Sequence, residues 1–187
     1  MKKALCLTFA LALAALVGAA AARPALAHDH EAKPAGNAIK AEVLRQIDDA
    51  EKKILQLAEA TSAEKYAWRP AEKIRSTGEV FMHIAGANYF LPTFWGAKMP
   101  DGVNPREFDK SAADKAKVID TLKKSFAHAR ESINAATDAE LDKTVKFFGQ
   151  EGTVREVILV IATHAHEHLG QSIAYARMNG IVPPWSS

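Results

Sequence analysis

Three histidines fall within five residues in the stretch Thr163-His164-Ala165-His166-Glu167-His168-Leu169-Gly170-Gln171. Successive residues of an α-helix are rotated by about 100°, so His164 and His168 (i, i+4) share one face and His166 points away. Two imidazoles stacked one turn apart can reach a single divalent ion such as Zn, Ni, Fe or Cu, at roughly 2.0–2.1 Å for Zn–N. Two ligands make a poor site, so a third donor must come from elsewhere in the chain. On spacing alone, the plainer alternative of incidental surface polarity stays open. Gln171, one turn beyond His168, is placed to orient an imidazole, to contact a ligand, or simply to bond a neighbouring helix.

The elements that must carry these residues follow from periodicity. No proline interrupts Val154 to Met178, and Val157, Ile161, His164, His168 and Tyr175 form one stripe. A helix is predicted over Thr153 to Asn179, closed by Gly180 and kept from extending by Pro183-Pro184. Ser76-Thr77-Gly78-Glu79 reads as a capping box opening another helix, with Val80, His83, Ile84, Ala87 and Leu91 on its apolar side and Pro92 near its end. His83 therefore lies on an apolar face. It is either a hydrogen-bonded core histidine or the missing third ligand, and the pair on the last helix favours the second role. Asn88 is a weaker candidate for ligand contact, with Tyr89 beside it. Phe90, Phe94 and Trp95 load the far end of this helix with aromatic rings.

Two more helices complete the set. Ile39, Val43, Ile47, Ile54, Leu57 and Ala58 recur at helical spacing from Asn37 onward, with Lys40, Glu51 and Lys53 among the residues assigned to the wet side. A connector at Tyr66-Ala67-Trp68-Arg69-Pro70 should pack its aromatics onto the rest. The third helix is predicted from Ser111 to Ala136, with Ala116, Ile119, Leu122, Phe126, Ala129 and Ile133 inward. Residues 96–110 hold Pro100, Gly102 and Pro105 and make the longest irregular link, which is either a plain crossover or a wall of a site. Residues 143–148 suggest a brief strand-like segment. Four amphipathic helices with almost no strand give an all-α fold, an antiparallel four-helix bundle, and such bundles hold metals between facing helices.

The N-terminus stands apart from this domain. Met1-Lys2-Lys3, an apolar run from Ala4 to Ala22 and Ala25-Leu26-Ala27 together read as a secretory signal peptide over 1–27, cut after Ala27. The mature protein is then periplasmic or secreted, without stable membrane association. Losing Lys2, Lys3 and Arg23 takes 24 basic residues to 21 against 22 acidic ones, and the net charge from +2 to −1. That balance gives no polyanion-binding surface, so nucleic acid is excluded as a partner. The only cysteine, Cys6, leaves with the signal, removing disulfides and a cysteine nucleophile. Residues 28–36 form a polar tail, and 37–187 the bundle domain. A mature chain beginning His28-Asp29-His30 would present a free amine, two amide nitrogens and the His30 imidazole, a square-planar set for Cu(II) or Ni(II). His28 offers a competing mode, and a polar tail with incidental histidines is the plainer alternative.

From Asn37 to Trp185 the chain resembles the DinB-like superfamily of metal-binding four-helix bundles. The likeness is carried by Tyr66-Ala67-Trp68-Arg69-Pro70, by Ile74 to Ala85 around His83, by His164-Ala165-His166-Glu167-His168-Leu169-Gly170-Gln171, and by Arg177 to Pro184. The resemblance implies one divalent metal, zinc or nickel foremost, held by His83, His164 and His168. It also implies a small-molecule substrate and chemistry of a metal-dependent hydrolase or thiol-transferase kind, with a non-catalytic metal- or ligand-binding bundle as the alternative. Thiol-dependent relatives work with cytoplasmic thiols, and the export signal departs from that pattern. A homodimer is compatible with the fold but not required by it.

Overall fold

The computed structural model describes residues 35–186. Four long helices form the bundle: α1 (Ala35–Ala60), α2 (Thr77–Phe90), α3 (Lys115–Ala135) and α5 (Val154–Met178). A single turn, α4 (Asp138–Leu141), precedes a hairpin of β1 (Thr144–Phe147) and β2 (Gln150–Thr153). Helix α1 packs against α3 and α5, and so does α2, which puts α1 and α2 at opposite corners. His28 and His30, with the whole predicted signal and its cleavage site, lie outside the described residues. No helix among the described residues is long and apolar enough to cross a membrane.

The core runs the length of the bundle. Ile47, Ile54 and Leu57 of α1, Phe81 and Ile84 of α2, Leu122, Phe126 and Ile133 of α3, and Val157 of α5 have no exposed surface. Each such side chain stabilises the fold by about 1.5–3 kcal/mol relative to exposure. Helix α2 is buried on most of its circumference: Thr77, Gly78, Val80, Phe81, Met82, Ile84, Ala85, Asn88 and Tyr89 are all buried. Such a helix belongs in the middle of a protein rather than on its surface.

Local chemistry sets the boundaries. Ser76 Oγ accepts from Glu79 N at 3.3 Å and the Glu79 carboxylate accepts from Ser76 N at 2.6 Å, so the capping box forms. Thr153 and Glu156 build a second box at the start of α5. Helix α3 begins at Lys115 rather than Ser111, because Asp114 takes the cap position and accepts from Lys117 N at 3.1 Å. The inward stripe also differs at its beginning: Ala116 is exposed and Ile119 half-buried, while Val118 and Ser125, each within one turn of Leu122, are buried. Lys40 is not a solvent residue; its ammonium donates to the Ala136 carbonyl at 2.8 Å. Glu51 likewise turns from water to pair with Arg130. The strand-like segment is half of a hairpin, whose second strand pairs Thr153 with Thr144 and Gln150 with Phe147.

The turn of that hairpin is Phe148-Gly149, at φ 48° and 83°. Positive φ at both positions is the type I′ pattern, which Asn-Gly or Gly-Gly satisfies without strain and a phenylalanine does not.

Candidate metal centre and its pocket

Helix α2 delivers His83, and α5 delivers His164 and His168. His83 Nε2 and His164 Nε2 stand 3.1 Å apart. The His168 ring centroid is 4.7 Å from that of His83 and 4.4 Å from that of His164. One ligand atom from each of the three falls within 4.8 Å of the others. Ligands about 2.05 Å from a common ion, at angles between roughly 90° and 110°, are separated by about 2.9–3.4 Å. The His83–His164 pair already has that spacing, and the His168 ligand atom lies within 4.8 Å of both.

Protonation favours the same role. Burial, reinforced by the charge of Arg75 and by His168, holds the His83 imidazole down to about 4. Burial and the two neighbouring histidines hold His164 at about 4 as well. Both rings are therefore neutral at pH 7, as metal ligation requires. His168 Nδ1 faces Gln171 Oε1 at 2.8 Å, and the Gln171 amide in turn donates to Tyr175 Oη at 3.1 Å. This chain places the His168 proton on Nδ1 and leaves the Nε2 lone pair free. Tyr175 is held by the Trp68 ring, with centroids 5.3 Å apart. His164 Nδ1 is buried without a hydrogen-bond partner.

The depressed histidines also fix a pH dependence for the metal-free protein. An unfolded histidine titrates near about 6.5. Between that value and about 4 the unfolded chain takes up protons that His83 and His164 refuse when folded. The stability they contribute is fully present above the unfolded value and is lost as pH falls toward the folded one. With a chelator present, the melting temperature should fall between pH 6.5 and 5, above the range of ordinary carboxylates, and the His83→Asn, His164→Asn double variant should show a smaller slope. Equal slopes in both proteins would contradict the assignment.

The other candidates sort clearly. His166 points away, with its Nε2 3.2 Å from the Gln46 carbonyl on α1. Asn88 is not part of the centre. Five residues on from His83, it is rotated about 140° around α2 and donates to Ser125 Oγ of α3 at 3.2 Å. Glu167 is exposed.

A cavity of about 620 Å³ opens beside the centre, with His83 and His164 in its lining. Met82, Ala87, Phe90 and Val160 line its helical side, and Arg75 comes from just before α2. The link after α2 supplies the rest, with Met99, Val103, Asn104, Pro105, Arg106 and Asp109, so it is a wall of the site and not a bare crossover. Phe148, at the hairpin tip, completes the rim. Arg75, Arg106 and Phe148 were not singled out from the sequence. A phenylalanine before glycine in a tight turn is the one signal that pointed to any of them.

The DinB superfamily matches residues 46–172. Among solved structures, a DinB-like protein from Bacillus cereus ATCC 10987 is similar with a TM-score of 0.66 and 19% identity, over 76% of this chain and 93% of that one. A DinB-like protein from Bacillus subtilis is similar with a TM-score of 0.59 and 18% identity, over 75% and 93%. No curated protein matches. At these identities the likeness shows the fold.

Proposed function

The chain belongs to the DinB superfamily, and on that premise we propose that it is an exported metalloenzyme binding one divalent ion, zinc or nickel, through His83, His164 and His168. The observation that carries this is the convergence of three imidazoles from two helices at the wall of a cavity large enough for a small molecule. Three imidazole ligands leave a coordination position open, the pattern of catalytic rather than structural zinc. An ion held there supplies Lewis acidity at neutral pH, which suits hydrolysis or thiol transfer. The chain's own residues do the positioning. Gln171 fixes the His168 ring, Tyr175 fixes Gln171, and the apolar wall of Met82, Ala87 and Val160 limits water. The basic start and small-x-small end of the first 27 residues support export.

Metal analysis of the mature protein, followed by hydrolase and thiol-transfer screens of the loaded form, tests this reading. Gln171→Leu provides a finer check. An outer partner of a ligating histidine carries about 10–100-fold in metal affinity. The variant should still bind one ion, with affinity lower by that factor in a chelator competition. Unchanged affinity would remove Gln171 from the centre.

A further inference from the structure

The cavity beside the histidines has two unlike parts, and together they define what it can hold. Arg75 and Arg106 both line it, and neither has a carboxylate within ion-pair distance among the described residues. Arg69, Arg130 and Arg155 are paired with acids, and Arg45 and Arg177, unpaired among the described residues, lie away from this cavity. What sets the exposed Arg75 and Arg106 apart is that two unpaired guanidiniums line one cavity. A guanidinium presents a planar fork matched to a carboxylate, so an unpaired one at a cavity wall is a ready anion receptor. Asp109 is the only acidic side chain in the lining, which therefore keeps a net positive formal charge.

The remaining lining is apolar, and Phe148 is its most telling member. The residue is 66% exposed, so burial does not repay the left-handed backbone at φ 48°. Strain of this kind persists where the surroundings impose it, and it clusters at ligand sites. The ring is held among Phe94, at 5.3 Å between centroids, and Phe90, at 6.4 Å, and Phe90 is itself 43% exposed. A phenylalanine on a strained turn, left largely in water at the rim of a cavity, has an unfilled apolar face.

We propose that the pocket takes an organic carboxylate with an apolar body, its acid group held by Arg75 and Arg106 and its body lying on Phe90, Met99, Val103 and Phe148. The volume of about 620 Å³ suits such a ligand, being within the roughly 300–1,000 Å³ of small-molecule sites. This names the substrate class for the enzyme inferred above and rests on that reading for its chemistry. Its binding geometry does not require the metal.

The experiment uses the full mature chain without metal, so that direct ligation cannot mimic the arginines, and titrates it calorimetrically with octanoate, 1-octanol and octylamine at pH 7. Octanoate should bind about tenfold or more tightly than octanol, as expected for a charge-assisted hydrogen-bonded pair, and octylammonium weakest. Arg75→Gln with Arg106→Gln should abolish the preference and leave octanol binding unchanged; Arg75→Lys with Arg106→Lys should restore part of it. Phe148→Asn, which relieves the turn, should weaken octanoate and octanol alike while raising the melting temperature. Octanol or octylamine binding as tightly as octanoate, octanoate affinity indifferent to the arginines, or no binding of any probe at millimolar concentration would overturn the proposal. A protein that prefers octanoate but binds no zinc or nickel sinks the metal reading alone. One that binds metal without the preference sinks this one alone.

Discussion

Alanine at His83, His164 or His168 should remove stoichiometric divalent-metal binding, and alanine at His166 should leave it intact. The three imidazoles present ligand atoms within 4.8 Å of one another, whereas His166 faces a carbonyl of α1. Loss of one ligand from three leaves a two-nitrogen site, so the effect should exceed the about 10–100-fold carried by outer partners. A stability readout accompanies it. Free metal at 100-fold above its dissociation constant stabilises the folded state by about 2.7 kcal/mol. For a domain of this size that is roughly 5–10 °C in melting temperature. Wild type and His166→Ala should show the rise on adding zinc or nickel, and the three other variants should not. Circular dichroism of the stripped wild type should remain helical, since the core is apolar along all four helices. Equal loss from His166→Ala would end the assignment.

Gly78→Ala should unfold the protein more readily than any other single methyl addition to α2. A Cβ at this position would lie 1.7 Å from the Ala112 carbonyl oxygen and 3.2 Å from Tyr66 Cδ1. Neither neighbour is a flexible side-chain end, because one is backbone and the other belongs to a ring with no exposed surface, anchored through its hydroxyl to the Ala58 carbonyl at 2.8 Å. The first turn of α2 must therefore separate from the segment leading into α3. Overpacking of this severity costs about 3–5 kcal/mol. Gly86→Ala is the matched control on the same helix. Its Cβ would meet Pro105 at 3.5 Å, an ordinary contact, and exchanging a mid-helix glycine for alanine stabilises by up to about 1 kcal/mol. Urea midpoints should move in opposite directions for the two variants. Coincident midpoints would show that Ala112 yields easily.

The parts of this molecule that sequence made legible are those governed by a single helix's periodicity. The stripe of α5, the capping box at Ser76 and the apolar setting of His83 all depend on residues three or four apart, and the structure brings His83 to the pair on α5. What was missed depends on contacts between distant segments. Gly78 looks like one more residue of a helix start until Ala112 is seen against it. Asn88 shares a helix with His83, and only the packing of α3 shows that it serves Ser125. The second strand of the hairpin, Gln150 to Thr153, is short and polar and has no alternation to betray it. Ser111 to Ala113 are reasonable helix residues, and the start of α3 was misplaced because Asp114 is the stronger cap. Lys40 passes for a surface residue because its carbonyl partner lies 96 residues away.

The pocket's two walls are made of unlike material. One is helix, packed on most sides and carrying the histidines. The other is a link of loop and two 3-10 helices, Leu91–Trp95 and Pro105–Ser111, that presses on Gly78 through Ala112, with a strained hairpin tip also lining the pocket. Such an arrangement divides the labour of adaptation. Changes among Met99, Val103, Arg106 and Phe148 can alter which molecules enter without moving an imidazole, since none of these residues supports α2 or α5 from within the core. The fold is thereby free to exchange one small-molecule ligand for another through its loops while keeping the three histidines in place.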